Sequence, residues 1–357
     1  MTELYYLYGI PTSTADLRTH NSDFIVEEIL PFSPTGEGEH HMLHIRKDGL
    51  NTGHVAEVLA KFAKVHPKEV TYAGQKDKNA QTEQWFGIRI PGKETPDWQQ
   101  LNSDQLTILS SARHGKKLRI GALLGNRFTL TLRNVTNIDA LQQRFNQIAA
   151  LGVPNYFGEQ RFGHNGKNLD QGRQMLSGAR KVHDRSKKSM YLSAVRSYIF
   201  NQVASYRLQH HLLKPLAGDC VMLAGSKSYF VAEQWDELLL KRLEEEDIGF
   251  SVPLWGRGQP LALTDAAVME AEAIEAFADD LHGLENAGLS QERRLLLLKP
   301  QAMKLRVDGD VCTIEFMLPA GSYATSVLRE LVDYQDIKDE QWKNMVADQQ
   351  AQAISYA

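Results

Sequence analysis

Apolar positions along the chain recur with two different periods. DFIVEEIL (23–30) alternates, with Phe24, Val26 and Glu28 on one face and Ile25, Glu27 and Ile29 on the other. NRFTLTLRN (126–134) alternates more cleanly: Asn126, Phe128, Leu130 and Leu132 share one side, so Asn126 and Phe128 begin the buried face. A period of two predicts strands for both. TGHVAEVLAKFAKV (52–65) instead carries Val55, Val58, Leu59 and Phe62 at helical spacing, and IDALQQRFNQIAAL (138–151) does the same; both predict amphipathic helices. Strand-like VTYAG follows the first helix and EQWFGIRIP comes after it, which leaves QKDKNAQT as a connection between two strands.

Beyond Gly152 the texture changes. NYFGEQRFGHNGKN (155–168) is rich in glycine, asparagine and aromatic residues, and MYLSAVRSYIFNQVASYRLQ (190–209) reads as a long helix. From about residue 300 strands return as MKLRVDG and VCTIEFMLP, the second turning at Pro319-Ala-Gly-Ser into a helix containing Val327, Leu328 and Leu331. The simplest organisation is an α+β domain of residues 1–151 and 299–357, interrupted by an insertion of residues 152–298. A length of 357 residues fits two domains better than one core.

Composition narrows the class. Hydrophobic residues at 42% and charged residues at 24% are the proportions of a globular chain rather than a disordered one. The longest purely aliphatic run is Leu295 to Leu298, and MTELYYLYGIPTST has neither a basic leader nor an apolar core. These features predict no membrane span and no signal peptide. Two cysteines, Cys220 and Cys312, without CxxC spacing, fit a reducing cytoplasm.

Net charge is −4, but it is unevenly spread. Residues 134–230 hold 13 Lys+Arg against 5 Asp+Glu, whereas residues 231–357 hold 11 against 24. Because the field at a surface follows local charge, the middle segment can attract a polyanion whatever the total. Two dense basic pieces stand out along the chain, RHGKKLR (113–119) just before that segment and RKVHDRSKK (180–188) within it, and together they point to a nucleic-acid surface.

Several chemistries lack their motifs. There is no GxxxxGK[ST], no GxGxxG after a strand and no PCxxC pair, so P-loop hydrolysis, Rossmann dinucleotide binding and zinc-dependent base deamination are unsupported. HHMLH (His40, His41, His44) has no thiolate nearby, and strand alternation splays His40 from His41, so no metal is expected there. His210-His211 sits at a helix end, where polar residues are ordinary. What remains is Asp77, set between Lys76 and Lys78 in GQKDKNAQTEQ (74–84). Aspartate in such a loop is often only a turn residue. Flanking cations suit a carboxylate acting as nucleophile or base rather than as acid. Gly74 lets the backbone turn sharply or a ligand come close, and Thr82 and Gln84 offer hydrogen bonds that fix the loop.

GQKDKNAQTEQ resembles the signature of the TruD family of tRNA pseudouridine synthases, Gly-x-Lys-Asp-Lys/Arg-x-Ala-x-Thr-x-Gln, at every fixed position. Further blocks agree in order: FxVxE at Phe24, Val26 and Glu28; GNxF at Gly125, Asn126 and Phe128; NYFGxQRFG at 155–163; and LPAGSYATSVLRE at 318–330. The similarity runs from about residue 5 to about residue 334. It implies an α+β pseudouridine synthase fold with a mixed, mostly antiparallel sheet, an inserted α+β TRUD domain and an active cleft between the two. It also implies isomerisation of uridine 13 in the D-arm of tRNA, in the cytoplasm, with no cofactor, no metal and no obligate protein partner.

Carried over by position, Asp77 matches the family's catalytic aspartate, acting either by covalent attack or as a base. Asn126 and Phe128 match the pair that orients the loop and packs against the target base. Arg18 aligns with a basic residue, more often lysine, that pairs with the carboxylate or holds a phosphate; Tyr323 aligns with an aromatic position, often phenylalanine, that stacks on uracil. Glu28, Lys76, Lys78 and Arg161 complete the residues expected to bind substrate. A catalytically silent RNA-binding module would share the basic segment without needing the intact loop. A carboxylate-dependent glycosylase would want a second acid, for which Glu28 and Glu83 have no telling spacing.

Overall fold

The computed structural model describes residues 3–92, 94–341 and 343–345. The chain forms two compact units: Pro11–Ala149 with Pro300–Gly321 and Leu331–Ala357, and Met1–Ile10 with Ala150–Lys299 and Ser322–Glu330.

The first unit is built on a ten-stranded sheet among the described residues. Its strands are β1 (Thr14–Leu17), β2 (Phe24–Ile29), β3 (His40–Asp48), β4 (Val70–Tyr72), β5 (Gln81–Arg89), β6 (Leu106–His114), β7 (Gly125–Arg133), β8 (Gln301–Asp308), β9 (Val311–Pro319) and β10 (Asp333–Asp336). The main path runs β8-β9-β7-β2-β5-β3-β6, with β4 on β5 and β1 joining β7 to β10. Only β2 with β5 and β1 with β10 are parallel; the other pairs are antiparallel.

Register turns the alternation of the sequence into a shared face. Lys47, Thr82, Val26, Phe128 and Phe316 are successive partners across five strands, and all five are buried. Glu28 is opposite Asn126 in the neighbouring row, and both are buried too. Thus the sheet face that holds the apolar residues also carries a lysine, a threonine, a glutamate and an asparagine, each needing a partner away from water. Glycine at position 125 has a packing reason: a Cβ there would collide with the backbone carbonyl of Leu318 on β9.

The helix expected over 52–65 ends at Phe62. Lys64 takes a left-handed φ of 53°, its N–H donates to Lys61 O, and Val65 N–H donates to Ala60 O. This is a Schellman ending, which satisfies terminal carbonyls and stops the helix although apolar residues continue. The helix Ile138–Leu151 matches its expected span.

The second unit is organised around the 27-residue helix Arg185–His211, capped by Asp184, whose carboxylate accepts from Ser186 N–H and Lys187 N–H. Its middle is buried on nearly every side, including Val195, Ile199, Phe200 and Val203, as expected of a helix that crosses a core. A four-stranded antiparallel sheet, in the order 229–232, 219–223, 248–254, 292–295, supplies Val221, Phe250 and Val252 to the same core.

Candidate active site

The connection at 73–80 joins β4 to β5 and is tied down mainly through its backbone. Gln84 Nε2 donates to Gly74 O (2.6 Å), Thr52 Oγ1 donates to Gln84 Oε1 (3.0 Å), and Lys76 N–H donates to Thr52 Oγ1 (3.0 Å). Gly121 N–H reaches Ala73 O at 2.8 Å. Within the loop Asn79 N–H donates to Asp77 Oδ1 (3.0 Å), a short turn closed by the aspartate itself. Gln84 therefore fixes the loop as its position suggested, whereas Thr82 Oγ1 is buried without a hydrogen-bond partner among the described residues.

The Asp77 side chain keeps 21% of its surface exposed, and its Oδ2 lies 3.1 Å from Nη2 of Arg18. Arg18 Nη1 donates to Asp336 Oδ2 at 2.9 Å, so one guanidinium serves two carboxylates. Its backbone has a φ of 58°, a conformation costly for a side chain as large as arginine. Both ion pairs and the Phe24 ring, 4.3 Å from the guanidinium carbon, hold it there. Burial raises the Asp336 carboxyl above its usual range, with Arg18 opposing.

The two lysines beside Asp77 diverge. Lys76 Nζ lies 2.8 Å from Glu28 Oε1, and Glu28 Oε2 accepts from Trp85 N–H; Lys78 is exposed. Burial pushes the Glu28 carboxyl up, and the Lys76 charge pulls it back. Asn126 is buried with its Oδ1 lacking a hydrogen-bond partner among the described residues. Phe128 is 6% exposed, stacked on Phe316 at 5.4 Å and edge-on to Phe24 at 6.4 Å.

Arg18, Glu28, Lys76, Asp77, Lys78, Asn126 and Phe128 all belong to the sheet unit, while Arg161 and Tyr323 belong to the helix-rich unit. There Arg161 Nε donates to the Tyr323 hydroxyl at 2.8 Å and Nη1 to Ser193 Oγ at 3.0 Å. Tyr323 also meets Phe157 edge-on at 5.9 Å. Gly158 is required beneath it, since a Cβ would run into Thr325 and the Tyr323 ring.

The histidines of HHMLH disperse: His41 packs edge-on to Trp98, and His44 stacks on Trp85 at 4.6 Å. Among the described residues no helix is long and apolar enough to cross a membrane.

A sequence profile described as tRNA pseudouridine synthase D (TruD) matches residues 1–181 and 166–331. The chain is 69% identical over 343 residues to tRNA pseudouridine synthase D of Shewanella oneidensis, covering 96% of this chain and 92% of the relative. It is 48% identical to the protein of that name from Aeromonas salmonicida, over 94% and 96% respectively. The chain belongs to the TruD family. A crystal structure of a putative TruD from Methanosarcina mazei superposes with a TM-score of 0.71 at 22% identity, covering 92% of this chain and 95% of the other. The fold is accordingly the α+β pseudouridine synthase fold of TruD.

Four residues of this TruD chain escaped the reading of its sequence. Lys47 is completely buried below the loop, and its signal is faint: a lysine continuing the inward positions Leu43 and Ile45 of β3. Thr52, the first residue of a helix, looks like an ordinary helix start. Asp336 lies beyond the recognisable blocks. Arg294 stacks on Phe157 at 4.2 Å and donates to the Asn155 side chain at 2.6 Å; burial lowers its pKa to about 10, with Tyr323 opposing and Arg161 assisting.

Proposed function

We propose that this protein is a cytoplasmic tRNA pseudouridine synthase that isomerises uridine 13 in the D-arm, with Asp77 as the catalytic carboxylate. The observation that carries the reading is the Asp77 carboxylate, partly open to solvent and paired with Arg18 in the TruD signature loop. The reaction breaks the bond from N1 of uracil to C1′, turns the base, and joins C5 to C1′. The proton released from C5 is balanced by the one gained at N1. Asp77 acts either by attacking C1′, to be displaced when C5 attacks, or by removing the C2′ proton and returning it. No electrons are transferred overall, so neither a redox cofactor nor a metal is required.

The remaining residues position the RNA. Arg18 holds the carboxylate against drift, and Glu28 with Lys76 supports the loop from beneath. Asn126 and Phe128 set the floor on which the extracted base rests. Lys78 meets phosphate, and Arg161 and Tyr323 offer a cation and a ring to the same RNA. A base must leave its stack before its glycosidic bond can be reached, so rings and cations on the enzyme are the groups this chemistry needs.

Mass is unchanged in this isomerisation, so the test is carbodiimide mapping of tRNA from cells with and without the protein. Loss of the modification at position 13 only in its absence is expected. Retention of pseudouridine 13 without the protein would overturn the assignment.

A further inference from the structure

Lys47 lies on the inward face of β3, where Leu43 and Ile45 precede it, and no part of it reaches solvent. A buried ammonium is retained only where acceptors replace water. Here the acceptors are two main-chain oxygens: Lys47 Nζ donates to Leu50 O at 2.7 Å and to Asp77 O at 3.2 Å. One bond holds the turn after β3, the other the residue proposed to react. The β5 partner of Lys47 in the sheet register is Thr82, which is equally buried.

We infer that Lys47 is a positioning residue for the isomerisation: its ammonium anchors the backbone of Asp77 from below while Arg18 holds the carboxylate from the side. The inference rests on Asp77 being the catalytic carboxylate. Two anchors on one residue, at its carbonyl and at its carboxylate, fix both ends of the side chain's lever. Removing one leaves the carboxylate paired with Arg18 but free to shift along the loop, and displacements near 1 Å cost roughly 100-fold in rate.

The charged groups around the ammonium are Asp77 and Lys76 from the loop and Glu28 from β2. Burial brings Lys47 down to about 8; Lys76 adds to the fall, and Asp77 and Glu28 oppose it. The anchor therefore loses its charge in mildly alkaline solution, when the amine can still donate but no longer attracts the carboxylate.

The test uses single-turnover tritium release from 5-tritiated uridine in tRNA between pH 6.5 and 9.5, with tRNA binding and thermal melting measured in parallel. Lys47→Met keeps the length and apolar stem. At pH 7 its rate per folded molecule should fall roughly 10- to 100-fold, with tRNA affinity within about twofold of the parent. The parent's rate should decline above about pH 8, a limb absent from Lys47→Met. An unchanged rate per folded molecule, a loss confined to tRNA affinity, or the same alkaline limb in both proteins overturns the inference. Should Lys47→Met fail to fold, Lys47→Leu takes its place in the same assay, and a rate per folded molecule equal to the parent's overturns the inference. Turnover by Asp77→Asn in the same assay would instead remove the reading of Asp77 beneath it.

Discussion

Lys76 turns beneath its own loop to place its ammonium 2.8 Å from Glu28, a carboxylate with no exposed side-chain surface. Of the two cations beside Asp77, one is therefore an internal strut and the other, Lys78, faces solvent. Lys76→Met strands a buried carboxylate, which should cost about 3–5 kcal/mol at pH 8. Burial already raises the Glu28 carboxyl, and without Lys76 it rises further. A raised carboxyl contributes stability below its folded pKa and loses it as pH climbs through that value. Thermal melts should thus show Lys76→Met closest to the parent near pH 5 and falling away toward pH 8; a constant gap would argue against Glu28 as the group responsible.

Asp77→Asn removes the charge with little change of size. Arg18 keeps Asp336 as a partner, so the fold should survive. Tritium release should drop below detection while tRNA binds as well as or better than before, because a negative group facing RNA is gone. Lys78→Ala should do the reverse, weakening binding severalfold and sparing turnover. Turnover by Asp77→Asn beyond what deamidation back to aspartate supplies would exclude Asp77.

Lys187 and Lys188 are exposed in the first turn of the helix Arg185–His211, where the helix dipole disfavours cations. Replacing both with glutamate should leave the helix intact or slightly steadier, so an effect on RNA cannot be blamed on unfolding. If they touch phosphate, tRNA affinity should fall and the slope of log K against log salt should flatten by about 1–2. Filter binding at several salt concentrations measures this, and an unaltered slope would assign both lysines to solvent.

Phe128 is enclosed by Phe24 and Phe316. Phe128→Leu should lower stability by about 1–2 kcal/mol through incomplete filling, and turnover per folded molecule should fall severalfold as the floor beneath the base shifts. A stability loss with turnover intact would make Phe128 a core residue only.

Tyr323 gives both a ring and an acceptor. Tyr323→Phe keeps the ring but leaves Arg161 Nε without the hydroxyl it meets at 2.8 Å, which should weaken tRNA binding by about 1 kcal/mol. Tyr323→Ala should cost about 1–3 kcal/mol if a base stacks there. Equal binding by parent and Tyr323→Ala would remove the stacking role.

Local periodicity made many of the elements legible because most strands here bury one face: β7 turns inward the side that its alternation marked, Asn126 included, whereas in β2 the alternation gave two faces and the structure buries the one with Phe24, Val26 and Glu28. The left-handed Lys64 ends a helix whose apolar spacing runs on, a stop that a lysine does not advertise. The φ of Gly74 is not positive and no protein atom crowds the place of a Cβ there, so the conformation of the loop does not itself demand glycine. Asp336 and Arg294 were silent because each acts through a partner far away in sequence, and Lys47 gave only the faint signal of a lysine at an inward strand position. The segments Met1–Ile10 and Ser322–Glu330 cluster with the helix-rich unit through long-range contacts such as Tyr5 N–H donating to Ser205 Oγ and Ser326 Oγ donating to Tyr156 O.

The parallel pairing of β1 with β10 has a consequence for biosynthesis. Arg18 follows directly on β1, and Asp336 ends β10, 318 residues later. A chain emerging from the ribosome makes Arg18 and Asp77 first, but the strand that pairs in parallel with β1 and the second carboxylate on Arg18 come 318 residues after Arg18. A nascent or prematurely terminated chain would hold Arg18 by one carboxylate instead of two. The arginine beside Asp77 is thereby left half-held until that distant strand has been made.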